Sequence, residues 1–423
     1  MMDWLLLGLI ILFFLYYIFV MKDPEKLLGA YSLPGKWYTL KYYSFYAAYS
    51  AKNLVAPNEK FSKKNIKETA VKCEKVQPLA QDEPKAVDEI YFNASNKDGV
   101  YLAAGVARRP EEVAQTFLLL NVPGLGILEM AEAPETNLKD ESDERNYYAG
   151  GLRVSCVDPM KTWRLQFSGV MQLNRGQEGK KARKEVDFNV LWMAHTDPFD
   201  HSADNSAESL ARAMALEPWT WDLVKGVLRQ GQSPLELRKR QSELERPPVR
   251  YEQFGWLAGT VEIEDEPLVS FKLLGLRQRT VAAFKDWGHV HRYVLQMFHL
   301  EDGSCGSVAV TSTPELGLTR LESGFFFDAK GHKSPVERVD LRLHELAEDS
   351  SEIPRDFQFT FKAGGNLHQL RCLVDERTSF YMGMEKQTVV YQNMAHFVVD
   401  GLDGWGFAEW AYRNDGKHTV AES

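Results

Sequence analysis

The sequence predicts a mainly β protein, with two antiparallel β-barrel or β-sandwich halves separated by helices and preceded by an apolar N-terminal helix. Three observations predict it. Short runs of alternating or β-branched residues recur from Glu89 to Arg413, with Gly, Asn and Asp turns between them. Helical signals concentrate once in the middle, from Ser206 to Glu243. The strand-then-helix alternation of a parallel α/β sheet is missing, so the strands are joined by hairpins. The boundaries that follow are 1–22 for an apolar anchor, 23–86 for a juxtamembrane helix and linker, 87–200 for a first β domain, 201–248 for a helical connector and 249–423 for a second β domain.

Taken in order, Trp4 to Met21 is apolar throughout. At 1.5 Å per residue it covers most of a ~30 Å hydrocarbon layer. It lacks the basic start, short core and small-residue exit of a cleaved signal peptide. Asp3 precedes it, while Lys22, Lys26, Lys36 and Lys41 follow, an asymmetry that predicts a single-pass membrane protein with a cytoplasmic body. The sequon Asn93-Ala94-Ser95 points the other way and carries less weight than four lysines. Leu33-Pro34-Gly35 starts a helix rich in Tyr and Phe, whose rings suit either a lipid headgroup layer or a protein surface. Lys52 to Lys85 is polar and reads as a linker.

The first half then opens with Glu89 to Asn93 and Val100 to Arg108 around the turn Asn96-Lys97-Asp98-Gly99. Pro110-Glu111-Glu112 reads as a short helical start before Phe117 to Leu120. Strands follow at Gly151 to Val157, Trp163 to Leu173 and Val186 to Met193. Ser206 to Leu216, Trp219 to Leu228 and Pro234 to Glu243 read as helices. In the second half, hairpins turn at Glu301-Asp302-Gly303, Ala329-Lys330-Gly331 and Gly364-Gly365-Asn366, and Val389 to Val399 precedes a closing strand.

A net charge of -9 excludes a general nucleic-acid binder, which needs a basic face to neutralise phosphates. Cys73, Cys156, Cys305 and Cys372 are too scattered for a zinc ribbon or a redox pair. Gly124-Leu125-Gly126 lacks the third glycine of a dinucleotide loop. No cofactor and no metal is expected.

The densest stretch is Arg250 to Tyr293. Val261 and Ile263 alternate with Glu262 and Glu264, Asp265-Glu266-Pro267 turns the chain, and Leu268 to Leu276 delivers it to Arg277-Gln278-Arg279-Thr280 and Lys285-Asp286-Trp287-Gly288. The order of Tyr251-Glu252-Gln253-Phe254-Gly255, an acidic turn, Gly275-Leu276-Arg277, Asp286-Trp287 and His291-Arg292-Tyr293 resembles the two-barrel lipocalin-like superfamily of acyclic carotenoid hydratases and AttH-like proteins. It looks most like the barrel region of animal phosphoenolpyruvate-synthase-like proteins. The tail, Gly404-Trp405-Gly406-Phe407-Ala408-Glu409, resembles that family's Gly-x-Gly-x-x-Glu ending. Gln278, Arg279 and Thr280 stand where the family pattern has Asp, His and Ser. The resemblance implies two lipocalin-like halves.

Candidate site residues come from the same stretch. Asp286 is the only carboxyl in the loop and so the candidate proton donor, with Arg277, Arg279, Trp287, His289, His291 and Tyr251 as candidate ligand-binding residues. The competing reading is a buried Arg–Asp pair with Trp287 as core, whose disruption costs about 3–5 kcal/mol. His289 and His291 fall two apart on one strand but lack further ligands, so a metal site is not expected. His195, Asp197, Asp200 and His201 read as a loop capping the next helix. The leading expectation is a membrane-anchored protein that binds an apolar lipid or isoprenoid. The alternatives are a hydratase or isomerase acting on a polyene by acid catalysis, and a scaffold, as the animal proteins join this region to a phosphotransferase.

Overall fold

The computed structural model describes residues 22–55, 72–79, 82–174, 182–218, 249–348, 350, 352–418 and 420. The first sheet is built from β1 (Val87–Ser95), β2 (Tyr101–Arg109), β3 (Val113–Val122), β4 (Gly126–Met130), β5 (Asn137–Lys139), β6 (Asn146–Ala149), β7 (Leu152–Asp158), β8 (Thr162–Asn174), β9 (Ala182–Ala194), β10 (Phe199–Asp200), β11 (Val249–Ile263) and β12 (Val269–Ala282). Its hydrogen bonding runs β11-β12-β1-β2-β3-β4-β8, and β9 pairs with both β8 and β11, so the path returns to its start. Each of the eight strands in this ring has two neighbours, while β5, β6, β7 and β10 pair outside it and leave short edges. The second barrel closes in sequence order through β13 (Arg292–Leu300), β14 (Cys305–Thr313), β15 (Leu318–Phe327), β16 (Lys333–Val339), β17 (Asp356–Ala363), β18 (Asn366–Met382), β19 (Thr388–Val399) and β20 (Leu402–Arg413).

Val249 to Ala282 thus belongs to the first ring. The strands before the helical connector cannot close it alone, because β9 needs β11 as its second neighbour and β1 needs β12. The chain passes to the second barrel only after Ala282. Close approach fixes part of this seam: a Cβ on Gly275 of β12 would lie 1.9 Å from the Asn93 carbonyl of β1, so no larger residue fits there.

Period-2 alternation sorts each strand into an inner and an outer face. On β1, Ile90, Phe92 and Ala94 fill the first barrel, while Tyr91 points outward. On β20, Ala408, Trp410 and Tyr412 fill the second barrel, while Phe407 points outward. The outward apolar residues of both barrels, among them Leu119, Phe254, Met297, Phe325 and Met394, pack into one shared cluster. The barrels therefore stand back to back.

Two helices lie outside the second barrel: α1 (Tyr38–Val55), which starts after Pro34-Gly35, and α2 (Ala207–Leu216), capped by Ser206. They pack on each other, and α2 packs on β15. The Tyr and Phe rings of α1 stack along the helix, Tyr38 on Tyr42 and Tyr42 on Tyr46. The helices expected at Trp219 to Leu228 and Pro234 to Glu243 lie outside the described residues.

Several expectations are corrected. Among the described residues no helix is long and apolar enough to cross a membrane. The assignment as a single-pass membrane protein with a cytoplasmic body is therefore withdrawn; Trp4 to Met21, on which it rested, lies outside the described residues. Pro110-Glu111-Glu112 is a hairpin turn, not a helical start, because Glu111 and Glu112 take left-handed φ of 65° and 58° between β2 and β3. The end of the expected linker is not free: Glu74 is buried in the first barrel. His289 closes a 3-10 turn, Trp287–His289, so it does not share a strand with His291.

Candidate functional site

Three groups of polar residues lie in or between the barrels, and the predicted site residues divide among them. Arg277, Arg279 and Tyr251 are on the inner faces of β12 and β11, at the end where the apolar filling stops. Arg277 is fully buried and its Nη1 donates to Glu74 Oε1 at 2.7 Å. Glu74 Oε2 accepts from Trp163 Nε1 at 2.8 Å and from the Met160 backbone N–H at 3.0 Å, and Tyr251 donates its hydroxyl to Oε1. Trp192 and Tyr251 rings lie 5.0 and 5.3 Å from the Arg277 guanidinium carbon, within cation–π reach. Next to this, Arg279 Nη2 meets Asp88 Oδ1 at 2.6 Å and Tyr147 donates to the same oxygen at 3.0 Å. These groups bond chiefly to one another and close the barrel end, although Arg277 Nε and Trp192 Nε1 are buried there without a hydrogen-bond partner.

The second barrel is closed in the same manner. Arg292, fully buried on the inner face of β13, donates through Nη1 to Glu348 Oε2 and to the Leu343 carbonyl, both at 2.6 Å. Tyr31 donates to Glu348 Oε2 at 2.6 Å, and His291 Nε2 lies 2.8 Å from Oε1. His289 turns elsewhere, with Nδ1 2.9 Å from Glu315 Oε2. The two histidines serve separate carboxylates.

Asp286 pairs with neither arginine. Its Oδ1 accepts from the Gly288 N–H at 2.9 Å, capping the 3-10 turn, and its Oδ2 lies 3.1 Å from Lys85 Nζ. Burial pushes its carboxyl up, but the Gly288 N–H and the Lys85 ammonium outweigh this and hold it below the usual carboxylate range. A group kept ionised cannot donate a proton at neutral pH. Trp287 lies in the seam between the barrels, clustered with Phe380, Met382 and Val390 and packed near Phe117 and Tyr293.

The third group lies in that seam. Glu409 projects outward from β20 and accepts the hydroxyl proton of Tyr293 at Oε1. Burial pushes its carboxyl up to about 7; the Tyr293 hydrogen bond pulls it down, and the Glu89 carboxylate raises it further. Part of its surface stays accessible. Beside it the Tyr91 hydroxyl accepts from Asn93 Nδ2 and Gln392 Nε2, each at 3.0 Å. Lys285 forms an ion pair with Glu89, and its Nζ is 5.0 Å from the Trp287 ring. Burial raises Glu89, but Lys285 pulls it below its usual value, so it stays charged beside a half-protonated Glu409. Phe117 stacks on Phe380 at 4.6 Å and lies 5.9 Å from Tyr91, which gives the seam an aromatic wall. A carboxyl near neutrality, a phenol and an apolar wall can protonate a bound molecule and take the proton back.

Of the predicted residues, only Trp287 and, at the edge, Asp286 belong to this seam. Sequence reasoning assigned no role to Glu409, Tyr293, Tyr91 or Glu89. One signal for Glu409 was present: it is the single charge in Phe407-Ala408-Glu409-Trp410-Ala411, a strand buried on both faces, where an ionised group is costly.

The sequence model of a family of unknown function, DUF8627, matches residues 9–412. No curated protein matches. Among solved structures, one assigned to AttH from Nitrosomonas europaea is similar at 10% identity and a TM-score of 0.49, covering 84% of this chain and 98% of that one. CghA with Sch210972 is similar at 9% identity and 0.48, covering 79% and 90%. Kievitone hydratase from Nectria haematococca is similar at 9% identity and 0.42, covering 80% and 94%. With each score below 0.5, these likenesses assign no role to any residue here. The expected link to phosphoenolpyruvate-synthase-like proteins finds no support among them.

Proposed function

This chain belongs to DUF8627, a family whose function is unknown, and we propose from its own residues that it is a hydratase- or isomerase-like enzyme acting on an apolar, unsaturated molecule in the seam between the barrels. The observation that carries the reading is Glu409, a carboxyl at about 7 hydrogen-bonded to Tyr293 beside aromatic rings. In its acid form Glu409 protonates an alkene carbon, and the carbon–carbon π electrons form the new C–H bond. The cation left on the neighbouring carbon is stabilised by the faces of Phe117, Tyr91 and Trp287. Water then adds to it and loses a proton to the Glu409 carboxylate, or loss of a neighbouring proton to Glu409 gives the isomer. Either way the enzyme is returned unchanged.

A binder of an apolar molecule would use the same seam without turnover, so the test follows the proton. Linear polyenes and prenyl alcohols are incubated with the protein in deuterated water, and mass spectrometry reads the gain of one water or of deuterium on carbon. The reading expects turnover that falls as pH rises through 7, since the acid form is required, and a loss of about 10²-fold or more in Glu409→Gln. Equal turnover by Glu409→Gln would overturn it. Binding of the panel with no exchange at any pH would favour the binder.

A further inference from the structure

Outside the wall of the second barrel is an open cavity of about 500 Å³, lined by the segment leading into α1, by α2, by β15 and β16 and by the segment after β16. Hydrogen bonds fix its walls. Glu217, at the end of α2, accepts from the Thr319 N–H at 2.7 Å through Oε1 and from Ser32 Oγ at 3.4 Å through Oε2. Lys41 Nζ donates to the Glu217 carbonyl, and the Ser32 N–H donates to Thr319 Oγ1 at 3.2 Å. The apolar part of the lining includes Leu33, Pro34, Leu216, Val339 and Leu343.

The rest of the lining is cationic in excess. Arg212, Arg320, Arg338 and Arg342 contribute to it, against Glu322 and Asp340. Glu322 is already committed: Oε1 accepts from Arg320 Nε at 2.8 Å and Oε2 from the Val339 N–H at 2.9 Å. The pairs of Arg212 with Glu208 and of Arg342 with Glu345 are partly or wholly exposed, and such pairs exchange readily with a bound anion. Among the described residues no ion pair or hydrogen bond engages the Arg338 side chain.

We propose that this cavity binds an amphipathic anion, a molecule with an apolar chain and a carboxylate or phosphate end. The chain lies against Leu33, Leu216 and Leu343 and the head is held by Arg212, Arg338 and Arg342. Its volume falls within the roughly 300–1,000 Å³ usual for small-molecule sites. The planar guanidinium fork matches both kinds of head group.

The probe is dansyl-undecanoic acid, followed by its fluorescence on the full chain, with dodecanoate, dodecyl phosphate, dodecanol and inorganic phosphate as competitors. Dodecanoate or dodecyl phosphate displaces it, and whichever does so at lower concentration identifies the head group. Dodecanol is at least about tenfold weaker, for want of the charged hydrogen bonds, and inorganic phosphate is weak for want of a chain. Arg338 and Arg342 are exposed, so Arg338→Ala/Arg342→Ala keeps the melting temperature and weakens the probe about tenfold or more, whereas Glu409→Gln binds it as wild type does. Equal competition by dodecanol, unchanged affinity in the double variant, loss in Glu409→Gln, or no saturable binding would each overturn the proposal.

Discussion

Replacing Glu409 by Gln tests the seam without any knowledge of substrate. Gln keeps the shape and can still accept the Tyr293 hydroxyl, but it does not titrate. In the folded protein the Glu409 carboxyl stands at about 7, against an ordinary value of 4.5. At 1.36 kcal/mol per pH unit that difference sets a ceiling of about 3 kcal/mol. Because part of the side chain reaches solvent, about 1–2 kcal/mol is the realistic size. The sign follows from where the proton is held more tightly, which is in the folded state. The contribution is fully present below pH 4.5 and is lost as pH rises through 7. Urea unfolding of both proteins at pH 5, 6, 7 and 8 isolates this group, since every other titrating residue is common to the two. The wild type should lose about 1–2 kcal/mol relative to Glu409→Gln between pH 5 and 8. A difference that stays constant over that range would show that the carboxyl is an ordinary one, and the case for a proton donor in the seam would fall with it.

Arg277→Met leaves Glu74 charged and unpaired in a dry barrel end, and urea unfolding should show a loss of about 3–5 kcal/mol. Adding Glu74→Leu should restore only part of it, because Trp163 Nε1 and the Met160 N–H then lose their acceptor. Asp286→Asn should cost about 1 kcal/mol or less in the same assay, since Asn still caps the Gly288 N–H and the Lys85 pair is partly exposed. A loss above about 3 kcal/mol would restore Asp286 as a buried structural partner.

Turn chemistry made much of the fold legible. Asn96 to Gly99, Glu301 to Gly303 and Gly364-Gly365 each join the strands they were expected to join, because a short turn constrains its neighbours locally. Ring closure is a different kind of fact. Nothing near β9 in the sequence says that its second neighbour lies beyond the helical connector, so Val249 to Ala282 was grouped with the strands that follow it. The partner of Arg277 was equally hidden: Glu74 is 203 residues away, in a polar stretch whose composition reads as linker. A single buried carboxylate does not change the composition of a segment, although it decides where the segment docks. Asp286 attracted the catalytic role through nearness in sequence to Arg277 and Arg279, and the pleat undid that nearness by turning both arginines into the first barrel while the chain left it after Ala282.

The two barrel ends explain why the proposed chemistry is placed between the barrels. Each end has a fully buried arginine on the inner wall, Arg277 or Arg292, beside an indole, Trp192 or Trp410. Each arginine meets a carboxylate that arrives from outside the barrel, Glu74 or Glu348, and each carboxylate also takes a tyrosine hydroxyl, from Tyr251 or Tyr31. Such a set is costly to open, because withdrawing the carboxylate strands a buried guanidinium. A substrate entering by either end would have to break it. At the seam the requirement is different. Tyr293, Glu409 and Phe117 keep accessible surface, and parting them exposes rings and a carboxyl that is neutral in half of the molecules near pH 7. The charge that does remain there, Glu89, is already neutralised by Lys285. In the half of the molecules whose Glu409 is protonated, the seam can therefore part without uncovering an unpaired ion, which neither barrel end can do.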